Sequence, residues 1–536
     1  MQFRRRNYLL IPVFIALCSL AAGILGGPGV KAATNPDDPI SQSFRSFTKV
    51  YDVVEQNFAE PVKADKAIYK GAIPGMLHEL DPHSNFFDPK EYHALREDQQ
   101  GHYYGVGMSV QAHNGKTVVL APFVGSPAYR AGIRPGDVIV EVNDKKTDTM
   151  NTTEIADLLK GPRGTKVQVM VTREGSDTPI TFNIVRDEIP RYSVPDAFML
   201  KNGIAYIKIE QFNENTSKEL EDKLKKVGEK DIKGMVLDLR DNPGGLLNEG
   251  VDVAGHFLKR NEVVVSMRGR LRDSNKTFTA RNETSARDYP VVVVVNRFTA
   301  SAAEIVSGAL QDHDRAWILG ETTFGKGLVQ TVFPLSNDTG LALTSAHYYT
   351  PSGRLIQRDY SNISFLDYYS HPNLDQKNAQ DVKMTDSGRT VYGGGGITPD
   401  EKYTTVKANR FQIEVARKYA IYNFAAKFFG ARKDARLPKG WEPDDKLIGD
   451  FREFLKSSNA TFTDAEFNEN RAWVKNEIKR EFYITAFGVD ESRKVAVEQD
   501  PEVLKAIDAM PKAKSLVDNA KKLMVQRFTQ QDRAGQ

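Results

Sequence analysis

The hydrophobic positions of this chain change period several times. Near the beginning, Phe44, Phe47, Val50, Tyr51, Val54 and Phe58 recur at helical intervals, the pattern of one apolar face, and Pro61 is expected to end that helix. A second helical stretch is expected over 67–80. Beyond residue 100 the segments shorten. Alternating Val167, Val169 and Val171 predict a half-buried strand, with further strands at Val138–Val142 and 181–185. Ser126-Pro127 reads as the N-cap and first residue of a brief helix ended by Gly132, and Asn151 as the cap of a helix bearing Ile155, Leu158 and Leu159. Residues 101–188 therefore read as a small β-rich domain with two helices. Strand and helix then alternate: a strand over 203–209, a helix over 217–227 and a strand over 234–239. Val291–Val295 is a run of β-branched residues without polar alternation, the mark of a strand buried on both faces in a mostly parallel sheet. Asn296 to Ala300 break the run, and Ala302, Ile305, Val306, Ala309 and Leu310 then fall on one helix, so 203–350 predicts an α/β layer. Residues 403–536 read as charged helices. Phe411, Val415, Tyr419, Tyr422 and Phe429 precede a stop at Gly430, and a Thr463/Glu466 capping box precedes Phe467, Trp473 and Ile478.

Composition narrows this picture. With 536 residues there is room for three or four domains, and 73 basic against 70 acidic residues leave a net charge of +3. That balance, without a basic run interleaved with aromatics, argues against nucleic acid as a partner. Cys18 is the single cysteine, which excludes an intrachain disulfide and a cysteine-based metal site. No His-Glu-x-x-His or comparable spacing occurs, so neither metal nor cofactor is expected. Residues 1–33 have the pattern of an export signal. Arg4, Arg5 and Arg6 precede an apolar run over 8–25, Gly26-Gly27-Pro28 breaks it, and Val30-Lys31-Ala32 offers cleavage after Ala32. The alternative is an uncleaved membrane anchor, since the run approaches the ~18 residues of a spanning helix. Leu17 before Cys18 is too large for the usual lipoprotein cleavage site. Export implies a cell-envelope location, the bacterial periplasm first.

The candidate chemistry lies between residues 240 and 330. Ser301 sits where a central strand hands over to a helix, so the N–H of Ala302 and the positive end of the helix dipole face whatever its hydroxyl attacks. A serine needs a base beside it. Lys326, in Phe324-Gly325-Lys326-Gly327, can act as one if burial lowers its pKa, and Gln330 can hold its amine. Pro243-Gly244-Gly245 after the 234–239 strand leaves bare N–H groups towards a cleft. Each piece also has a plain structural reading: Ser301 as an N-cap, Lys326 as a solvated loop cation, the glycines as a tight turn. A Ser-His-Asp site would have to recruit His313, between Asp312 and Asp314, or His347. There is no Gly-x-Ser-x-Gly elbow, and His313 reads as an exposed helix-end residue. Ser46-Phe47-Thr48-Lys49 matches Ser-x-x-Lys, but falls in an amphipathic helix without completing motifs.

Two linked stretches, Thr299-Ala300-Ser301-Ala302-Ala303-Glu304 and 320–330, resemble the signature of the carboxyl-terminal processing peptidases, the tail-specific protease family. Asp238 to Leu246, Leu80-Asp81-Pro82-His83-Ser84, Thr350 to Gln357 and Gly396-Ile397-Thr398-Pro399-Asp400 resemble it too. The resemblance implies Ser301 as nucleophile, Lys326 as general base, Gln330 as its positioner, and Gly245 with Ala302 as the oxyanion hole. It also implies that 101–188 is a PDZ domain. There Tyr104, Gly105, Val106, Gly107 and Met108 would capture a terminal carboxylate, and Ile155, Leu158 and Leu159 would wall the groove of a peptide added to a sheet edge. His83 is read as a hydrogen-bonded packing residue. Residues 358–392 intervene where many relatives pass almost directly to the Gly-Ile-x-Pro-Asp turn.

The expected architecture is multidomain α/β. An export segment (1–33), an N-terminal helical region (34–100), the PDZ domain (101–188), an α/β protease core with a central sheet (189–402) and a C-terminal helical region (403–536) follow in order. The expected function is that of an exported serine endopeptidase working through an acyl-enzyme on proteins with accessible, apolar C-termini. The helical regions would serve as a platform, oligomer contact or adaptor surface. The competing reading is a PDZ adaptor or scaffold with an inactive protease-like core.

Overall fold

In the computed structural model the valine run forms the expected strand, and all five side chains are fully buried. The structure describes residues 39–113, 115–281, 287–361, 363–370, 378–430 and 437–534, so the export segment expected at 1–33 lies outside the described residues. The strand belongs to a six-stranded sheet made of β1 (Ala197–Met199), β2 (Ile204–Lys208), β3 (Gly234–Asp238), β4 (Val291–Val295), β5 (Ala316–Gly320) and β6 (Glu401–Lys402), in that spatial order. β1 is antiparallel to β2, and every other neighbouring pair is parallel.

Side-chain alternation along β4 explains why no polar residue interrupts it. Val291, Val293 and Val295 pack with Ile305, Val306 and Ala309 of the helix Ala302–Asp312 and with Val251 and Ala254 of the helix Leu247–Gly255. Val292 and Val294 face the other way, onto Val503, Ala506, Met510 and Ala513. Those four residues come from the last helices, Pro501–Asp508 and Met510–Ala534. The end of the chain thus completes the second face of the protease layer, where the sequence suggested a single separate C-terminal region. The helices between Arg410 and Phe487 build their own core around Phe411, Phe424, Phe451, Phe467 and Phe482.

A second sheet lies beside the first. Its long strand Gly340–Tyr349 pairs with Leu328–Pro334, with Val263–Arg268, and with Asn85–Phe87. The last of these corrects the expectation that 34–100 is helical throughout: Asn85–Phe87 is a strand of the protease core. The smaller domain forms as read from the sequence. An antiparallel sheet runs in the order Met108–His113, Lys116–Pro122, Val138–Val142, Lys166–Thr172, Ile180–Val185. Its helices are Pro127–Ala131, capped by Ser126 and closed by Gly132 at φ 91°, and Thr152–Leu159, capped by Asn151.

Among the described residues, 39–76 form a separate compact unit. Its helix Pro39–Asn57 forms, but Phe44, Phe47, Val50 and Val54 on the predicted apolar face are exposed, and no residue of the helix is buried. Amphipathic spacing specified the helix without supplying a cover for its stripe.

Candidate active site

The loops that follow β3, β4 and β5 meet at the carboxyl ends of these parallel strands, where open α/β sheets place their ligands. Thr299 ties the three together: its hydroxyl donates to the Leu239 carbonyl at 2.8 Å and its carbonyl accepts from Phe324 N–H at 2.9 Å. Asn242 adds a second tie, accepting from Ala300 N–H at 2.9 Å through its carbonyl and from Gly244 N–H at 2.8 Å through its side chain.

Ser301 stands at the turn into the helix Ala302–Asp312 with φ 54° and ψ −118°, a conformation that a side chain rarely adopts and that surrounding bonds must enforce. The enforcing group is Glu304, fully buried one helical turn on. Its carboxylate accepts from Ser301 N–H (2.9 Å), Thr323 Oγ1 (2.5 Å), Gly325 N–H (2.7 Å) and Lys326 N–H (2.9 Å). One side chain therefore clamps the serine turn to the lysine loop. The buried Tyr348 hydroxyl lies 3.1 Å from the Ser301 carbonyl oxygen and 2.6 Å from that of Lys326, seating both main chains against one group.

Lys326 is half-buried, and its amine donates to Gln330 Oε1 at 3.1 Å. Burial pushes the amine below the usual lysine range, against the opposing pull of the Asp81 and Glu304 carboxylates. No hydrogen bond joins Ser301 Oγ to Lys326 Nζ among the described residues; the backbone ties bring the two loops together, and Gln330 holds the amine.

The glycine turn packs directly on the serine. A Cβ on Gly244 would stand 2.6 Å from Ser301 Cβ and 2.9 Å from Ala302 N, so no other residue fits there. Gly245, at φ 140°, is pinned to Phe212, whose carbonyl a Cβ would meet at 2.1 Å. The N–H groups of Gly245 and Ala302 donate to no acceptor among the described residues, leaving two bare donors beside Ser301.

A model of peptidase family S41 matches residues 203–362, and a model of the PDZ domain matches 118–173. The carboxy-terminal-processing protease of Bartonella bacilliformis is 37% identical over 328 residues, covering 60% of this chain and 75% of that protein. The carboxy-terminal processing protease CtpA of Bacillus subtilis is 34% identical over 352 residues, covering 63% and 74% respectively. The chain belongs to the carboxy-terminal processing proteases. It is therefore a serine-type peptidase with a PDZ domain, acting on peptides or proteins, and the reading as an inactive adaptor is set aside. Among solved structures, a photosystem II D1 C-terminal processing protease is 28% identical, with a TM-score of 0.34, covering 68% of this chain and 90% of that one.

Other sequence-predicted positions of the protease fall differently. His313 is no exposed helix end: its ring is bonded to Asp386 Oδ2 at 2.8 Å and to the Val263 carbonyl at 2.7 Å. It caps the far end of the Ser301 helix, about 18 Å away at 1.5 Å per residue, which excludes it as the base. Tyr104 and Gly105 are not in the carboxylate loop, because His102–Gly105 pairs with Asp187–Pro190 as a two-stranded ladder. Val106 and Gly107 lie in the loop between that ladder and the strand Met108–His113. Their carbonyls accept from Ala128 and Phe123 N–H, while their own N–H groups donate to no acceptor among the described residues. Met108 begins an edge strand that pairs, among the described residues, only with Lys116–Pro122, so its other edge is unpaired. Ile155 and Leu159 are 1% and 5% exposed, packed in the domain core because their helix turns that face inward; Leu158 is only partly buried.

Two residues escaped the sequence reading. Glu304 lies three positions after Ser301, the capping-box spacing, which was a usable signal. Asp81 turns the Leu80–Ser84 stretch, accepting from His83 N–H (2.7 Å) and Ser84 N–H (2.8 Å), and lies close enough to act on Lys326. Nothing in its local sequence announces that second effect.

Proposed function

We propose that the protein is an exported endopeptidase that reads C-terminal tails through its PDZ domain and cleaves with a Ser301/Lys326 dyad. Ser301 Oγ attacks the scissile carbonyl carbon as its proton passes to neutral Lys326. The N–H groups of Gly245 and Ala302 receive the oxyanion, each such donor typically contributing about 2.7 to 4 kcal/mol to the transition state. Collapse expels the amine product, which takes the proton from Lys326 and leaves an acyl-enzyme. Water then attacks the acyl carbonyl carbon, losing a proton to Lys326, and the tetrahedral intermediate expels Ser301 Oγ, which takes that proton back as the acid is released. The observation that carries this reading is the Gln330-held amine of half-buried Lys326, whose main-chain N–H is clamped through Glu304 to the turn that presents Ser301 beside two unused backbone donors.

The free N–H groups of Val106 and Gly107 and the open edge at Met108 support capture of a terminal carboxylate and addition of the tail as a strand. The basic and apolar pattern of 1–33 supports export to the periplasm or cell envelope, with removal after Ala32 favoured over retention as an anchor. The helical regions are read as self-association or adaptor surfaces, which sedimentation of the purified protein would test.

The decisive assay incubates the full chain, Ser301→Ala and Lys326→Ala with a protein ending in apolar residues. Turnover by wild type alone supports the dyad; equal turnover by all three removes it. Cell fractionation with N-terminal sequencing of the purified protein tests the export reading.

A further inference from the structure

The role of Lys326 depends on which way the Gln330 amide faces. A neutral amine has two hydrogens and one lone pair. If Gln330 Oε1 accepts one hydrogen, the lone pair stays free for the serine proton; if the amide were reversed, its NH2 would occupy that lone pair. The structure selects the first arrangement, because Gln330 Nε2 donates to the main-chain carbonyl of His83 while Oε1 accepts from Lys326 Nζ. The His83 carbonyl thus sets the amide.

His83 is held from residues 358–392, to which the sequence assigned no role. Its helix Phe365–Ser370 brings two tyrosines to the two ring nitrogens of His83: Tyr369 Oη lies 3.1 Å from Nδ1 and Tyr368 Oη 3.0 Å from Nε2. The acceptors fix the direction of these bonds. Tyr369 O–H donates to the Pro82 carbonyl at 2.9 Å, so it receives the His83 Nδ1 proton. His83 Nε2 is then an acceptor, served by the Tyr368 hydroxyl, which itself receives Gln357 Nε2–H at 3.3 Å. The ring is locked as one neutral tautomer, edge-on to Phe324, Tyr368 and Tyr369. The same helix reaches the lysine loop from a second side: the Arg358 guanidinium donates to the Tyr368 carbonyl at 2.7 Å and lies between the rings of Phe324 and Tyr368, 4.3 and 4.1 Å from their centroids.

We infer that Tyr368 and Tyr369, acting through His83, are positioning residues that select the working orientation of the Gln330 amide and keep water from Lys326. The inference rests on the assignment of Lys326 as base. The groups facing that amine are Asp81 and His83 from the Leu80–Ser84 turn, Glu304 from the serine helix, and Gln330. Loosening the tyrosine contacts hydrates the amine, which favours its charged form and moves the acid limb of activity to higher pH.

The test compares kcat, KM and the pH profile of the full chain with those of Tyr368→Phe, Tyr369→Phe and the double variant, alongside Lys326→Ala. The expected result for the double variant is a fall of about tenfold in kcat, the order of one lost hydrogen bond, with KM little changed and the acid limb displaced upward. A double variant with the wild-type kcat and acid limb overturns the inference, as does lowered thermal stability with both kinetic readouts unchanged. If the double variant fails to fold, Tyr369→Phe decides by the same readouts, since its ring is 44% exposed and only a hydroxyl is lost. An active Lys326→Ala would remove the base assignment itself; an inactive one beside wild-type-like tyrosine variants would overturn this inference alone.

Discussion

Glu304→Gln replaces a single oxygen by an NH2 group at the junction of both catalytic loops. The carboxylate oxygens divide their work: Oε1 accepts from Thr323 Oγ1 and Gly325 N–H, and Oε2 from Ser301 N–H and Lys326 N–H. An amide offers only one acceptor end. Its NH2 sits least badly towards Thr323, whose hydroxyl can turn to accept, but the Gly325 N–H is then buried against another donor. An orphaned buried donor costs about 1 to 3 kcal/mol, and bonds to a neutral amide oxygen are roughly half as strong as those to a carboxylate. Relief from burying a charge offsets part of this, since burial already pushes the carboxyl above its usual range. The balance is a loss of about 2 to 4 kcal/mol, with kcat falling on the order of 10- to 100-fold as the Ser301 turn relaxes. Urea unfolding and steady-state hydrolysis of a tail-bearing substrate measure the two effects. A Glu304→Gln protein with the wild-type unfolding midpoint and turnover would show that the Ser301 conformation is held by something else, and would refute the clamp.

Other outcomes follow from the same geometry. Lys326→Met should abolish hydrolysis yet stabilise the fold at neutral pH and below. A lysine with a depressed folded pKa binds fewer protons folded than unfolded between the two pKa values, so its contribution to stability rises with pH there and is least favourable below them; thermal unfolding against pH checks this. Gly245→Ala should cost activity at least about 100-fold, the scale of one lost oxyanion donor, because its Cβ would meet the Phe212 carbonyl at 2.1 Å; near-normal kcat would remove that N–H from the oxyanion hole. Burial, helped by Lys326 and Arg358 and opposed by Asp81, pushes the His83 imidazole down to about 3, so its NMR signals should not titrate between about pH 5 and 8. Amidating a substrate's C-terminus should raise KM far more than it lowers kcat, with unchanged KM counting against carboxylate capture at Val106 and Gly107.

Much of this protein is written locally. Val291–Val295 could be read as a doubly buried strand because β-branched residues without polar alternation suit little else, and the Ser126, Gly132 and Asn151 helix boundaries depend on neighbours only a few residues away. The strand end, helix start and flanking glycines around Ser301 and Lys326 are short-range features too, and the family resemblance of those stretches is what assigns them chemistry. What the tertiary structure alone decided were relations between distant segments. Only folding sets the last helices on Val292 and Val294, turns Ile155 and Leu159 into a core instead of a groove wall, and leaves the stripe on Pro39–Asn57 exposed. Only folding brings Glu304 to the lysine loop, and His83 to Gln330 and the tyrosines of Phe365–Ser370, nearly 300 residues further along. Periodicity reports which face of an element is apolar; which partner covers that face, and which buried polar group completes another's hydrogen bonds, depends on chain closure that no local pattern encodes.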